Sequence, residues 1–266
     1  MPTIELEHVT KFYKRKHRQW GTPRHALGVQ GVNLTIHQGE FVFVVGGSGS
    51  GKSTLLQLMA GQLKPTSGSV YVDNKDLGSM MRLSRNRAAL LFGKIWQDPT
   101  LIRKKTVEEN LSLASRIALG REPPQMVDIR VKKVLGLVGM KGVEKKYPIE
   151  LSIGECRRVE LARAMIGSPP ILILDEITAN LDDDSIWDTL HLLNDLNRKG
   201  TTIIMATHDS QYVNILRRRV ITMGGGRVQG DVENGKYGDV VGKEQLPHLQ
   251  NRFDIKTINK NSRRRS

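Results

Sequence analysis

Cysteine is almost absent from this sequence: Cys156 stands alone among 266 residues. A single thiol forms no internal disulfide, which excludes the disulfide-stapled secreted scaffolds and agrees with a cytosolic chain. Long apolar runs are missing too. Stretches such as Phe41–Val45 and Ile171–Leu174 fall far short of the roughly 20 residues that span a bilayer. No secretory leader is expected, because Met-Pro-Thr-Ile-Glu passes straight into a strand-like pattern. There is no internal repeat. Acidic residues are outnumbered, 27 Asp and Glu against 41 Lys and Arg, which leaves a formal net charge of +14. Such an excess suits an anionic membrane surface, nucleic acid, or plain solvated charge. It concentrates between Lys11 and Arg24 and in the tail ending Arg263-Arg264-Arg265.

What is present describes a globular α/β chain. Hydrophobic residues at 38%, with 26 glycines besides, rule out a disordered composition, and the length suffices for a sizeable core. Alternation and β-branched runs predict strands at Thr3–Val9, Val32–Ile36, Glu40–Val45, Ser69–Val72, Ile171–Asp175 and Thr201–Ala206. Between about Pro99 and Gly167 the apolar spacing turns helical, and another helix is expected near Ile186–Leu196. The expected organisation is one domain over 1–246, with a helical part at about 98–167 inserted, followed by a loose basic tail at 247–266.

Gly46-Gly47-Ser48-Gly49-Ser50-Gly51-Lys52-Ser53-Thr54 fits G-x-x-x-x-G-K-[ST] between a predicted strand and a predicted helix. Glycines let the backbone fold tightly enough for its N–H groups to converge on phosphates. The helix that follows adds the positive end of its dipole. Lys52 is expected to reach the β- and γ-phosphates, and Ser53 to ligate Mg²⁺. A flexible linker is the plain alternative, but a linker has no reason to carry Lys-Ser-Thr at that junction.

Ile171-Leu172-Ile173-Leu174 ends in Asp175-Glu176. A continuously apolar strand is buried on both faces, as in a parallel sheet, and ligands bind beyond the carboxyl ends of such strands. Asp175 is placed to hold Mg²⁺. On an extended chain Glu176 points the opposite way and is the candidate base for an attacking water. Alone, the pair would read as solvated acids ending a strand; beside a phosphate cradle it reads as chemistry.

Leu151-Ser152-Ile153-Gly154-Glu155 begins a further helix, with Ser152-x-x-Glu155 spaced as a capping box. With Ala206-Thr207-His208-Asp209 downstream, these motifs occur in the order found in the ATP-binding cassette ATPases, which the chain resembles from about Ile4 to Gly230. The resemblance implies an α/β fold: a RecA-like phosphate-loop core with an antiparallel β subdomain and a helical subdomain. It implies Mg-ATP hydrolysis. It casts Gln97 as a sensor of Mg²⁺ and γ-phosphate, His208 as a switch beside that phosphate, Asp182 in a loop touching a second subunit, and Tyr13 as the adenine platform. Ser152, Gly154 and Glu155 of one subunit would complete the ATP site of the other, in a homodimer closed by two ATP. Each position also has a plain reading: Asp182 starts a helix, Tyr13 packs, His208 ends a strand.

The sequence departs from that pattern at three places. Ile153 stands where the family usually has Gly, Cys156 where it has Gln, and Ile177 where it has Pro. None removes a chemical group, so turnover is expected to be reduced rather than abolished. Within the family, the closing stretch Arg217-Arg218-Arg219-Val220-Ile221, Gly226-Arg227-Val228 and Gly235-Lys236-Tyr237-Gly238 resembles the cell-division branch. That implies a four-span membrane partner, received beside Gln97 and Ile102–Val107 at the cytoplasmic face of the cell membrane, with the basic excess against anionic lipid. Alternatives are the ATPase of a lipoprotein-release or macrolide-export transporter and, more remotely, a nucleic-acid- or ribosome-associated cassette. The last usually carries two cassettes or a long insert, so no specific nucleic acid is expected.

Overall fold

The computed structural model describes residues 3–14, 25–179 and 181–240. Most of the basic segment between Lys11 and Arg24, the tail at 247–266 and Asn180 lie outside them. Among the described residues, ten strands form two sheets. β1 (Ile4–Lys14), β2 (His25–Ile36), β4 (Ser67–Val72) and β5 (Lys75–Asp76) make an antiparallel sheet in the order β2-β1-β4-β5. The second sheet holds β3 (Phe41–Val45), β6 (Phe92–Ile95), β7 (Ile171–Asp175), β8 (Thr202–Ala206), β9 (Arg219–Gly224) and β10 (Arg227–Val232). Its order is β10-β9-β3-β8-β7-β6, parallel except at the β9–β10 hairpin.

The apolar runs are strands buried on both faces, as their composition predicts. Phe43 and Val45 of β3 and Leu172 and Leu174 of β7 face one core. That core is closed by α3 (Val107–Leu119), α4 (Pro124–Leu137), α5 (Ile153–Met165) and α6 (Asp183–Arg198). The alternate residues Val42, Val44, Ile171 and Ile173 face a second core with α1 (Lys52–Met59) and the antiparallel sheet. The central sheet is thus pinned from both sides, and every parallel strand delivers its carboxyl end to one rim, where β3 runs into the phosphate loop and β7 into Asp175.

Several elements differ from expectation. β1 runs on to Lys14 and β2 begins at His25, because their pairing continues past the apolar alternation through bulged registers. α2 (Arg82–Ala89), α7 (Ser210–Leu216), β6, β9 and β10 were not predicted. β6 has Gly93 and Lys94 in its four residues and shows no strand pattern; parallel pairing to β7 makes it one. Leu174 is fully buried between the layers. Leu174→Ala should cost about 2–5 kcal/mol by lost burial and residual cavity. Urea unfolding monitored by circular dichroism tests this; a loss under about 1 kcal/mol would mean the layers close over the gap.

Candidate functional site

The phosphate loop owes its shape to residues without side chains. Gly46 and Gly51 adopt φ of 143° and 106°. A Cβ on Gly46 would stand 2.3 Å from the Met223 carbonyl oxygen, and one on Gly51 2.6 Å from that of Gly28. The loop is buttressed from the β9–β10 turn, where Gly226 N–H donates to the Ser50 carbonyl at 3.0 Å. Gly47 and Gly49 face open space. Gly51 caps α1, and helix, loop and the first turn's free N–H groups converge on a cleft of about 230 Å³. Gly49, Ser50, Gly51, Lys52, Ser53 and Thr54 line one side. Ser48 sits exposed on the same loop.

Lys52 is 7% exposed. Its Nζ donates to the Gly46 carbonyl at 2.8 Å and the Gly47 carbonyl at 3.2 Å, and lies 3.9 Å from Glu176 Oε1. Glu176 Oε1 in turn lies 3.4 Å from His208 Nδ1. Lysine, glutamate and histidine thus come from α1, the end of β7 and the end of β8 to one rim. The extended geometry expected of Glu176 is not what holds it. β7 stops at Asp175, and Glu176 sits at φ 52°, a left-handed conformation in which strand alternation no longer sets direction. Its N–H is fixed to the Ala206 carbonyl at 3.0 Å. A strained residue persists only where its surroundings over-determine it, and such sites cluster at functional centres.

Asp175 is 2% exposed, and burial pushes its carboxyl above the ordinary range, against the lowering effect of a hydrogen bond from Ser53. One of its oxygens, Oδ1, is buried without a hydrogen-bond partner, as is Ser50 Oγ. A buried orphan carboxylate oxygen beside a hydroxyl is an oxygen donor set of the kind magnesium prefers, so the residues fit that ion.

Tyr13 stands exposed on β1 at the open end of the cleft; its hydroxyl lies 3.2 Å from Thr54 Oγ1 and its ring rests over Gly28. Gly28 and Leu27, which also line the cleft, carry no sequence signal beyond a glycine in a strand pattern. Ser152 caps α5 in a complete capping box: Glu155 N–H donates to Ser152 Oγ at 3.2 Å, and Ser152 N–H to Glu155 Oε2 at 2.7 Å. That second bond holds the Glu155 carboxyl below its ordinary range. Ile153 is 62% exposed at the first helical position, and Gly154 packs toward Leu181. None of these signature residues lines the cleft of its own chain. Asp182 caps α6, accepting from Ser185 N–H at 2.8 Å and from its hydroxyl at 2.9 Å, which lowers its pKa. Gln97 follows β6 with its side chain exposed, also outside the cleft. Ile177 is a core residue, and the Cys156 thiol donates to the Pro148 carbonyl at 3.4 Å.

The pattern of the ABC transporter family matches residues 29–179, spanning phosphate loop, signature and acid pair. The chain belongs to the ABC transporter family. It is an ATPase cassette of that family, with the mixed sheets of the cassette fold. The cell-division ATP-binding protein FtsE of Bacillus subtilis is 37% identical over 88% of this chain and 98% of its own length; that of Streptococcus pneumoniae is 40% identical over 90% and 99%. The methionine import ATP-binding protein MetN of Halalkalibacterium halodurans is 36% identical over 94% of this chain and 71% of its own. Among solved structures, the dimeric ATP-binding cassette MJ0796, in a post-hydrolysis state bound to ADP and Pi, superposes with a TM-score of 0.79. It is 30% identical, over 88% of this chain and all of that one.

Because the Asp175 pKa is raised on folding, the ionised carboxylate opposes folding of the nucleotide-free chain. Its unfavourable contribution appears as pH rises through the folded pKa. Asp175→Asn should therefore gain stability over the parent as pH increases from about 4 toward 7. Urea midpoints across that range measure the difference; a variant that loses ground with rising pH would contradict it.

Proposed function

We propose that this chain hydrolyses Mg-ATP at a site shared between two copies and passes the resulting opening and closing to an FtsX-like, four-span membrane partner. The observation that carries the chemistry is the convergence of Lys52, Glu176 and His208 on the rim where Asp175 and Ser53 also lie. The cell-division reading is supported by identity to FtsE proteins along nearly their whole length.

ATP enters with its phosphates in the loop of Gly46 to Thr54 and its adenine against Tyr13. Lys52 exchanges two backbone carbonyls for β- and γ-phosphate oxygens. Ser53, Asp175 and Gln97 would hold Mg²⁺, which when bound neutralises charge on those phosphates. Glu176 takes a proton as a water oxygen bonds to the γ-phosphorus and the bond to the bridging oxygen breaks, releasing ADP and phosphate. His208, 3.4 Å from that carboxylate, orients it and contacts the γ-phosphate. Ser152, Gly154 and Glu155 of the second copy cap the γ-phosphate with a free helix start, and Asp182 lies at the same seam. ATP thereby favours the closed dimer through contacts that ADP lacks.

The partner's docking segment enters a groove of about 820 Å³ between α2, β6, α3 and α5. Leu90, Ile102, Leu113 and Ile117 give it apolar walls, and no carboxylate among the described residues lines it. Of the stretch Ile102–Val107 only Ile102 takes part. Lys94 on its floor is half-buried, and burial pushes its ammonium down. An apolar helix carrying an acidic residue fits that lining. No helix among the described residues is long and apolar enough to cross a membrane. Basic residues add about 1 kcal/mol each at an anionic surface.

Two outcomes follow. Glu176→Gln should bind Mg-ATP and double its mass by light scattering, and a chain that stays monomeric with saturating nucleotide would contradict the shared site. The same variant, tagged and recovered with ATP from solubilised native membranes, should bring a small four-span protein that Ile117→Glu in the groove releases. Recovery of a methionine, lipoprotein or drug permease instead would move the chain to the transporters.

A further inference from the structure

The loop of Gln97 is not free to move alone. Behind it, the second and third turns of α5 carry Arg157 and Glu160, a pair 8% and 1% exposed, with Arg157 Nη1 2.9 Å from Glu160 Oε2. Arg157 donates to the Trp96 carbonyl at 2.8 Å and also to the Gln97 carbonyl. Glu160 Oε1 accepts from the Thr100 N–H at 2.5 Å and from its hydroxyl at 3.0 Å. One turn on, Arg163 donates to the Thr100 carbonyl at 2.7 Å and to its hydroxyl. Both ends of the segment 96–100 are therefore held to one helix, by the buried pair Arg157 and Glu160 and by the half-buried Arg163. A buried ion pair contributes little net stability, because desolvation offsets attraction. It does fix geometry, since every alternative position leaves a charge uncompensated.

The helix that holds this loop is also the one whose first turn is the signature. We propose that Arg157 and Glu160 clamp the Gln97 loop to the signature helix, so that docking of Ser152 and Gly154 on a second copy's nucleotide sets the position of Gln97 in the chain's own site. Both are positioning residues, neither touching nucleotide. The clamp rests on the shared-site dimer argued above. Its consequence is that the two ATP sites report to one another through α5, a rigid helix with a sensor loop bonded to its middle and a phosphate cap at its start. Trp96, between β6 and Gln97 and packed against the core of α1, gives the loop an optical reporter.

The decisive variant is Arg157→Met with Glu160→Leu, which replaces the pair by apolar groups of similar volume, an exchange that commonly preserves folding. It should keep the parent's circular dichroism and its KM for ATP within about twofold, while kcat falls roughly ten- to a hundredfold through misplacement of the loop. The change in tryptophan emission on adding Mg-ATP, identified as the part that Trp96→Phe abolishes, should disappear. Should that variant not fold, Glu160→Gln retains the shape and removes only the charge facing Arg157, and should lower kcat several-fold at unchanged KM. Parent kcat and parent Trp96 response in a folded variant overturn the clamp. Light scattering of the Glu176→Gln chain with Mg-ATP reports the dimer separately: no dimer there tells against the shared site, whereas a dimer with undiminished turnover in the clamp variant tells against the clamp alone.

Discussion

A buried ammonium is the constraint around which the site is arranged. Lys52 sits at the start of α1 with little access to water, and an unpaired cation there would be strongly disfavoured. The chain meets this with the carbonyls of Gly46 and Gly47 and the nearby Glu176 carboxylate. The loop can present them because Gly46 and Gly51 adopt positive φ where a Cβ would meet a backbone carbonyl, so those two glycines resist exchange. The loop in turn is seated by the β9–β10 turn and by β3, itself pinned between two cores. Placing one lysine thus engages the central sheet and both of its cores. On the reading proposed above, a triphosphate would offer the same ammonium better acceptors and release the carbonyls and carboxylate.

The same economy governs the acids. Asp175 belongs to the strand and is buried with one oxygen unmet, whereas Glu176 has left the strand and stands in a left-handed turn beside His208. Two adjacent carboxylates so acquire different surroundings, one suited to a cation and the other to a proton. The signature faces outward, its capping box complete and Ile153 exposed. On the reading proposed above, a site that needs that helix start takes it from another copy.

The phosphate loop, the acid pair and the signature could be read from the sequence because each is a short contiguous motif whose spacing follows from local geometry. The fully buried strands were equally visible, since Phe41–Val45 and Ile171–Leu174 need no partner to betray their burial. β6, β9 and β10 were not visible, because their strand character comes from neighbours rather than from their own alternation. Glu176 shows a different limit: its identity and place were legible, but the left-handed turn that aims it depends on the Ala206 carbonyl, 30 residues downstream in the chain. The Arg157–Glu160 pair was hidden for the same reason. Its i, i+3 spacing reads as an ordinary surface ion pair, and only the loop folded over it reveals burial.

The most direct measurement is equilibrium titration of a fluorescent ATP analogue against the parent chain and Lys52→Met, with folding of both checked by circular dichroism. Lys52→Met should fold like the parent and bind roughly a hundredfold more weakly, since a lost charged contact to phosphate is worth about 3 kcal/mol. Equal affinity in a folded variant would contradict the account, and would mean that the ammonium serves the loop's architecture and not the nucleotide.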